Sequence, residues 1–521
     1  MEATTQILLA MVGYMLIVIL IGLYFAKKSQ QNSENYFLGG RSLGPWVAAM
    51  SAEASDMSGW LLMGLPGVAY WCGIADAAWT AIGLALGTYV NWLIVSKRLR
   101  SYSVVSGDAI TVPEFLSNRY HEKKKIILGI SATFILIFFT VYAASCFVTC
   151  GKLFSNLFGL SYHSMLIVGA VFVLIYTILG GFLAESASDF MQSIVMIVAL
   201  VGVLSFGVVK AGGLEAVIEN AKAIPGMLSL TSQASPVLDA EGVQQSINNV
   251  PQFGDATSYG FLTILSTLSW GLGYFGMPQV LLRFMAIRKR SELTRSRRIA
   301  TVWVLISLTA AVSIGVLGRY LLPAMPALAT KSGAENVFAQ LAKLLFHPVL
   351  AGVVSAGILA ATISSSDSYL LIAASAVSKN LFEGIIKKDA DDKQVMHVSR
   401  LVLLLITAIG IAIAWNENSV IFTIVSFAWA GFGATFGPIM LFSLFWKRTN
   451  RAGAVAGMIS GGVMVFVWNL LLKPLGGVFG IYELLPAFLI SCIFIVTVSL
   501  LTAAPSREIQ DEFDRVKAYQ E

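Results

Sequence analysis

The segment MSAEASDMSGWLLMGLPG, residues 50–67, puts Glu53 and Asp56 three residues apart inside an otherwise apolar stretch. A lipid-facing helix does not tolerate acids at that depth, so they point to an interior site with a function. The pattern recurs twice. AESASD places Glu185 four residues before Asp189, and ISSSDS sets Asp367 among Ser364, Ser365 and Ser368. Those three serines fall at i, i+1 and i+4, roughly one helical face. They either bond a neighbouring helix or join the carbonyls of an unwound helix in replacing the water around a small hard cation. Two carboxylates one turn apart in low dielectric do not readily both ionise, so such a pair can also hold a proton. A further cluster is aromatic. In LSWGLGYFGMPQ, residues 268–279, Trp270, Tyr274 and Pro278 recur every four positions. That stripe either packs a core or supplies flat apolar walls for a small ring.

A very apolar chain must position these groups. Of its 521 residues 57% are hydrophobic and 12% charged, about half the charge of ordinary soluble domains. Repeated apolar runs of roughly 20 residues, too continuous for barrel strands, predict an all-α polytopic membrane protein. About thirteen spans are expected, near 5–26, 45–70, 74–96, 126–155, 163–182, 189–210, 256–286, 299–322, 349–380, 398–415, 419–446, 451–473 and 481–503. Basic clusters follow the odd-numbered spans: Lys27, Lys28 and Arg41 after the first, Lys97, Arg98 and Arg100 after the third, and others after the seventh, ninth and eleventh. By the positive-inside rule the N-terminus is outside and the C-terminus cytoplasmic. The same retention explains the net charge of +6 without nucleic acid. The first span lacks a basic leader and a cleavage site, so it reads as a retained helix. Residues 211–255 form the longest outer loop, and the tail 504–521 is too short for a catalytic or signalling domain.

Glycine and proline punctuate two of these spans. Gly59, Gly64, Pro66 and Gly67 interrupt the second; Gly271, Gly273, Gly276 and Pro278 interrupt the seventh. Each set alone is compatible with close helix packing. Together, five spans apart and therefore oppositely oriented, they point to a transporter binding site between two inverted five-helix repeats. The divisions that follow are 1–44, a first helix and loop; 45–210, the first repeat; 211–255, the outer loop; 256–447, the second repeat; 448–503, two further helices; and 504–521, the tail.

The motifs NYFLGGRSLGPWVAAMSAEASDMSGWLLMGLPG, SWGLGYFGMPQVLLRFMA, YTILGGFLAESASDFMQ and FAWAGFGATFGP occur in this order. The chain resembles the sodium:solute symporter family over roughly residues 5–505, and within it the bacterial sodium/proline symporters. The resemblance implies a leucine-transporter-like fold and sodium-coupled import of proline in a bacterial inner membrane; no hydrolytic or redox motif is present, so no enzymatic activity and no cofactor beyond the coupling sodium are expected, and no obligate protein partner is evident. Carried over residue by residue, it implies sodium ligands at the carbonyls of Ala54, Met57 and Ala361 and the hydroxyls of Ser364 and Ser365. It implies substrate positions at Tyr142, Trp270, Tyr274 and Pro278, with backbone donors near Ser58 and Gly59 for a carboxylate. Asp56 matches the family's critical carboxylate, and Asp189 its acid at the start of the sixth span.

Glu53, Glu185 and Asp367 depart from the family pattern, which has uncharged residues there. With Asp56, Asp189 and Ser368 they are candidates for ion coupling. They either make transport pH-dependent or partly proton-coupled, or they pair with basic residues elsewhere or face water at the cytoplasmic end. A different small solute carried with sodium or protons therefore stays open beside proline. A channel is disfavoured, because an aromatic pocket between broken helices suits occlusion. Cys72, Cys146, Cys150 and Cys492 show no metal or disulfide spacing, and no role is assigned to His121, His163, His347 or His397.

Overall fold

The computed structural model describes residues 2–29, 31 and 33–518. The side chains of Lys27 and Lys28 and residues 519–521 lie outside that description. Among the described residues, ten helices are long and apolar enough to cross a membrane. Setting aside short helices such as Ser33–Leu38 and Leu214–Lys222, the helices in chain order are α1 (Ala3–Ser29), α2 (Pro45–Gly59), α3 (Leu65–Cys72), α4 (Ile74–Val105), α5 (Val112–Arg119), α6 (Ile126–Phe158), α7 (Tyr162–Lys210), α8 (Phe261–Leu268), α9 (Pro278–Ala286) and α10 (Leu293–Leu321). They continue with α11 (Val337–Leu345), α12 (Pro348–Ser375), α13 (Asp392–Ile413), α14 (Ile421–Phe445), α15 (Arg451–Val467), α16 (Leu484–Leu501) and α17 (Arg507–Ala518). Local sequence explains several starts. Proline occupies the first helical turn at Pro45, Pro278 and Pro348, where its missing N–H is not needed. Asn450 caps α15, and Asp391 with Gln394 forms a capping box on α13.

Helix α7 has 49 residues but is not one rod. Gly181 has φ 60° and ψ −173°. The Tyr176 hydroxyl lies 2.6 Å from the Ser188 hydroxyl, twelve residues on, whereas twelve residues of straight helix span about 18 Å. The two expected spans therefore meet at Gly181, with no linker between 182 and 189. The segments near 45–70 and 256–286 are each two helices joined by irregular backbone. At the first, Ser58 has φ 50° and ψ −172°, followed by a wide turn over Trp60–Gly64. At the second, Ser269–Gly276 winds as a tight 3₁₀ helix and Met277 is extended.

Helix α12, buried along most of its length, sits at the centre and packs against α7, α1, α6 and α2. Helix α14 covers the second interruption and rests on α6, α15 and α16. The expectation of an all-α chain needs one correction in the long loop. Besides a helix at Leu214–Lys222, Ser232–Gln233 pairs with Thr257–Ser258, and Ser246–Ile247 pairs with Val250–Pro251, both antiparallel. Away from the apolar core, paired strands satisfy backbone groups that a polar, glycine-containing loop cannot place in a long helix.

Candidate functional site

The first interruption frees carbonyls, and hydroxyls from facing helices meet them. Ser365 on α12 donates to the Ala54 carbonyl at 3.3 Å. Tyr142 on α6 and Tyr369 on α12 both donate to the Asp56 carbonyl at 3.4 Å, and their rings stack with centroids 4.2 Å apart. The Ser364 hydroxyl is buried and has no partner. The Met57 carbonyl accepts from the Trp60 N–H, while Ala361 lies buried inside α12 on the turn before Ser364 and Ser365. Hard oxygen donors, one of them unsatisfied, thus collect beside the break, as a small cation requires. Gly59 is dictated by space: a Cβ there would lie 2.5 Å from the Thr149 side chain on α6.

Asp56 joins the two interruptions. Its carboxylate accepts from the Tyr274 hydroxyl at 2.7 Å and from the Gln279 amide at 3.4 Å. Carbonyls freed at the second break are also taken: Trp429 donates to the Trp270 carbonyl at 2.8 Å and Asn91 to the Tyr274 carbonyl at 3.0 Å.

The aromatic stripe fans out. Trp270 faces a cavity of about 520 Å³, stacked on Tyr482 (centroids 5.2 Å) and near Trp60 and Phe422. Tyr274 turns instead to Asp56, and Pro278 borders a small separate space beside Thr111 and Asn380. Four-residue spacing marks one face at 3.6 residues per turn, but not at the three per turn found here. The cavity opens on the side of the long loop, whose Gln233 lines it together with Tyr259 just beyond the loop.

The opposite side is closed. The backbone before α2 pairs with that after α9, Leu43 N–H to Ala286 and Arg288 N–H to Leu43. Arg41 donates to the Met285 and Ala109 carbonyls at 2.6 and 2.8 Å and to Asp108 at 3.0 Å. Arg100 donates to the Ile287 carbonyl at 2.9 Å. Helix α17 overlies this layer. Buried Phe513 lies under the guanidinium groups of Arg98 and Arg119, and Glu512 accepts from the His121 ring at 2.8 Å.

A second buried polar cluster lies where α2, α7, α9 and α12 meet. The Arg283 guanidinium, wholly buried, bonds Glu185, Asp189 (3.2 Å), Ser368 (3.0 Å) and Ser51 (3.0 Å), and Ser51 donates to Asp189 at 2.7 Å. Glu185 also accepts from Ser368. Asp367 caps the Ser368 N–H at 2.8 Å, and its other oxygen has no partner. The acids at 185 and 189 therefore share one basic residue, Arg283. Glu53 finds none: it accepts from the Trp92 indole at 3.2 Å, and its second oxygen is unpartnered. Sequence reasoning missed Arg283, Gln279 and Tyr369. A lone arginine in VLLRFMA was the available signal for the first; Gln279 and Tyr369 carried none. Among the described residues no group of three His, Cys, Asp or Glu side chains forms a metal centre.

Two interrupted helices crossing beside a cavity open on one side define a membrane transporter built for alternating access. The sodium:solute symporter family model matches residues 36–461, and the chain belongs to that family. It is a sodium-coupled symporter and not an enzyme. The sodium/proline symporter of Staphylococcus aureus (strain USA300) is 39% identical over 522 aligned positions, covering 99% of this chain and 96% of that one. A Na⁺-coupled sialic acid symporter, solved substrate-bound and outward-open, superposes with a TM-score of 0.75 at 18% identity, covering 96% of this chain and 99% of its own. A nucleobase-cation-symport-1 family transporter, closed on bromovinylhydantoin, gives 0.51 at 13% identity, over 93% and 99%. These two likenesses concern the fold.

Proposed function

We propose that this chain imports L-proline with sodium across a bacterial inner membrane by alternating access. The observation that carries the reading is the Tyr274–Asp56 hydrogen bond: it ties the two interruptions together four residues beyond Trp270, whose ring lines the open cavity. The named substrate of a relative 39% identical over nearly the whole chain supports proline. Sodium would lie between the carbonyls of Ala54, Met57 and Ala361 and the hydroxyls of Ser364 and Ser365. The proline ring would rest against Trp270, the member of the expected set that lines the cavity, above Tyr274 and Tyr142, while Pro278 borders a separate space and would not touch it; the carboxylate would point toward the N–H groups near Ser58 and Gly59. Counting α7 as two spans and each interrupted pair as one gives thirteen, with the N-terminus outside and the C-terminus cytoplasmic. The inverted repeats are then 45–210 and 256–447.

One inward charge at 100 mV releases about 2.3 kcal/mol, and a tenfold sodium gradient adds about 1.4. The sum supports accumulation of several hundred-fold for one ion per solute. Uptake of labelled proline into proteoliposomes, with and without a sodium gradient, tests the reading. Uptake that ignores sodium, or that unlabelled proline does not compete away, overturns it.

A second reading has one observation in its favour, the unpartnered oxygen of Glu53 three residues from Asp56. Another small solute would then move with sodium or protons, and the Glu53–Asp56 pair would make transport pH-dependent. Glu53→Gly measured between about pH 5.5 and 8.5 decides it: an unchanged pH profile removes Glu53 from the mechanism.

A further inference from the structure

On the face turned to lipid, α2, the second half of α7 and α10 leave a groove of about 430 Å³ between them. Its walls are apolar and open outward: Ile194 is 44% exposed, Val198 65%, Val302 57% and Ile306 43%. Trp303 closes the back by donating its indole N–H to the Ser193 carbonyl at 3.2 Å. One mouth of the groove differs in character. Arg298 lines it, Arg295 stands one turn earlier with its guanidinium 5.8 Å from the centre of the Trp46 ring, and Trp46 is itself 48% exposed.

Tryptophan at the end of an apolar groove is the usual mark of the headgroup level, and basic pockets between membrane helices suit anionic headgroups. Both guanidinium groups are solvent-exposed, and neither forms an ion pair among the described residues. The acid nearest in sequence, Glu292, is engaged by Arg288 at 2.8 Å. A phosphate with net negative charge finds two free forks here, while a choline or ethanolamine group finds no free carboxylate.

We propose that this groove binds one anionic phospholipid from the leaflet on the side of the 288–298 basic segment. An acyl chain lies along Ile194, Val198, Val302 and Ile306, and the phosphate sits between Arg295 and Arg298, against the rim of Trp46. The occupant is a lipid and not free phosphate, because the apolar channel continues from the basic mouth. The site bridges α7 to α2, the helix that carries the first interruption. Its effect on transport rate rests on the function proposed above, but binding does not.

Binding is therefore measured without transport. Full-length protein in nanodiscs is titrated with phosphatidylglycerol or phosphatidylcholine carrying the same brominated acyl chain, and quenching of tryptophan fluorescence is read. Phosphatidylglycerol is expected to quench at about tenfold lower mole fraction. The double variant Arg295→Gln/Arg298→Gln removes that preference, and Val302→Phe, which fills the groove without adding a tryptophan, weakens both lipids. Arg288→Gln, in the same basic segment but outside the groove, leaves the preference intact. Equal quenching by the two lipids in the unmodified protein overturns the proposal. So does a preference that survives the double variant or is lost equally in Arg288→Gln. Should the double variant fail to fold, the unmodified comparison and Val302→Phe still decide the matter.

Discussion

Single side chains carry the strongest energetic statements. Ser365 gives one hydroxyl to the Ala54 carbonyl beside the unpartnered Ser364. Ser365→Ala is expected to raise the sodium concentration for half-maximal uptake about tenfold, the equivalent of ~1.4 kcal/mol, with little change in protein yield. Arg283 is different, because it neutralises buried carboxylates. Removing one partner from a buried ion pair costs about 3–5 kcal/mol, so Arg283→Gln should lower the unfolding temperature in detergent sharply. Arg283→Gln combined with Glu185→Gln should recover part of that loss. A single variant as stable as the unmodified protein would show that Glu185 and Asp189 are satisfied without it. At this scale the sequence was informative about acids and serines, whose types are out of place in lipid. It was silent on which partners meet them, since Arg283 comes from a helix almost a hundred residues away from Glu185.

The elements were more legible than their contacts. Apolar runs and glycine–proline clusters located both interruptions, because each is written in local backbone chemistry. What local patterning could not carry was the winding of Ser269–Gly276, which turns Trp270, Tyr274 and Pro278 in different directions. Nor did it announce the kink at Gly181, which breaks the direction of a 49-residue helix without a linker. Tertiary packing decides both. The Gly59 position gives an element-scale test. Gly59→Ala drives a methyl group into Thr149, and overpacking of this kind costs about 1–3 kcal/mol. Uptake should fall at least tenfold, and Thr149→Ala in the same protein should restore much of it; unchanged uptake in Gly59→Ala would mean that the two helices separate freely.

At the scale of the whole molecule, one face is open and the other is fastened by arginine bonds to carbonyls, with α17 laid across them. Phe513→Ala should loosen this face, seen as faster hydrogen exchange in residues 98–119 with no change around the cavity. Lys447 beside Asp514 holds that carboxyl below its ordinary range. The pair's contribution is therefore complete above about pH 4 and fades as pH falls through the lowered value; protection of α17 that weakens on raising the pH instead would contradict this. A last consequence follows from Ser58 and Gly181, which hold nearly the same backbone angles. Glycine adopts them freely, whereas a residue with a side chain stores about 1–3 kcal/mol there. Beside the ion-gradient energies that drive the cycle, this is no small quantity. The centre of the protein is a cocked spring: any rearrangement that lets residue 58 relax draws on energy already lodged in the fold.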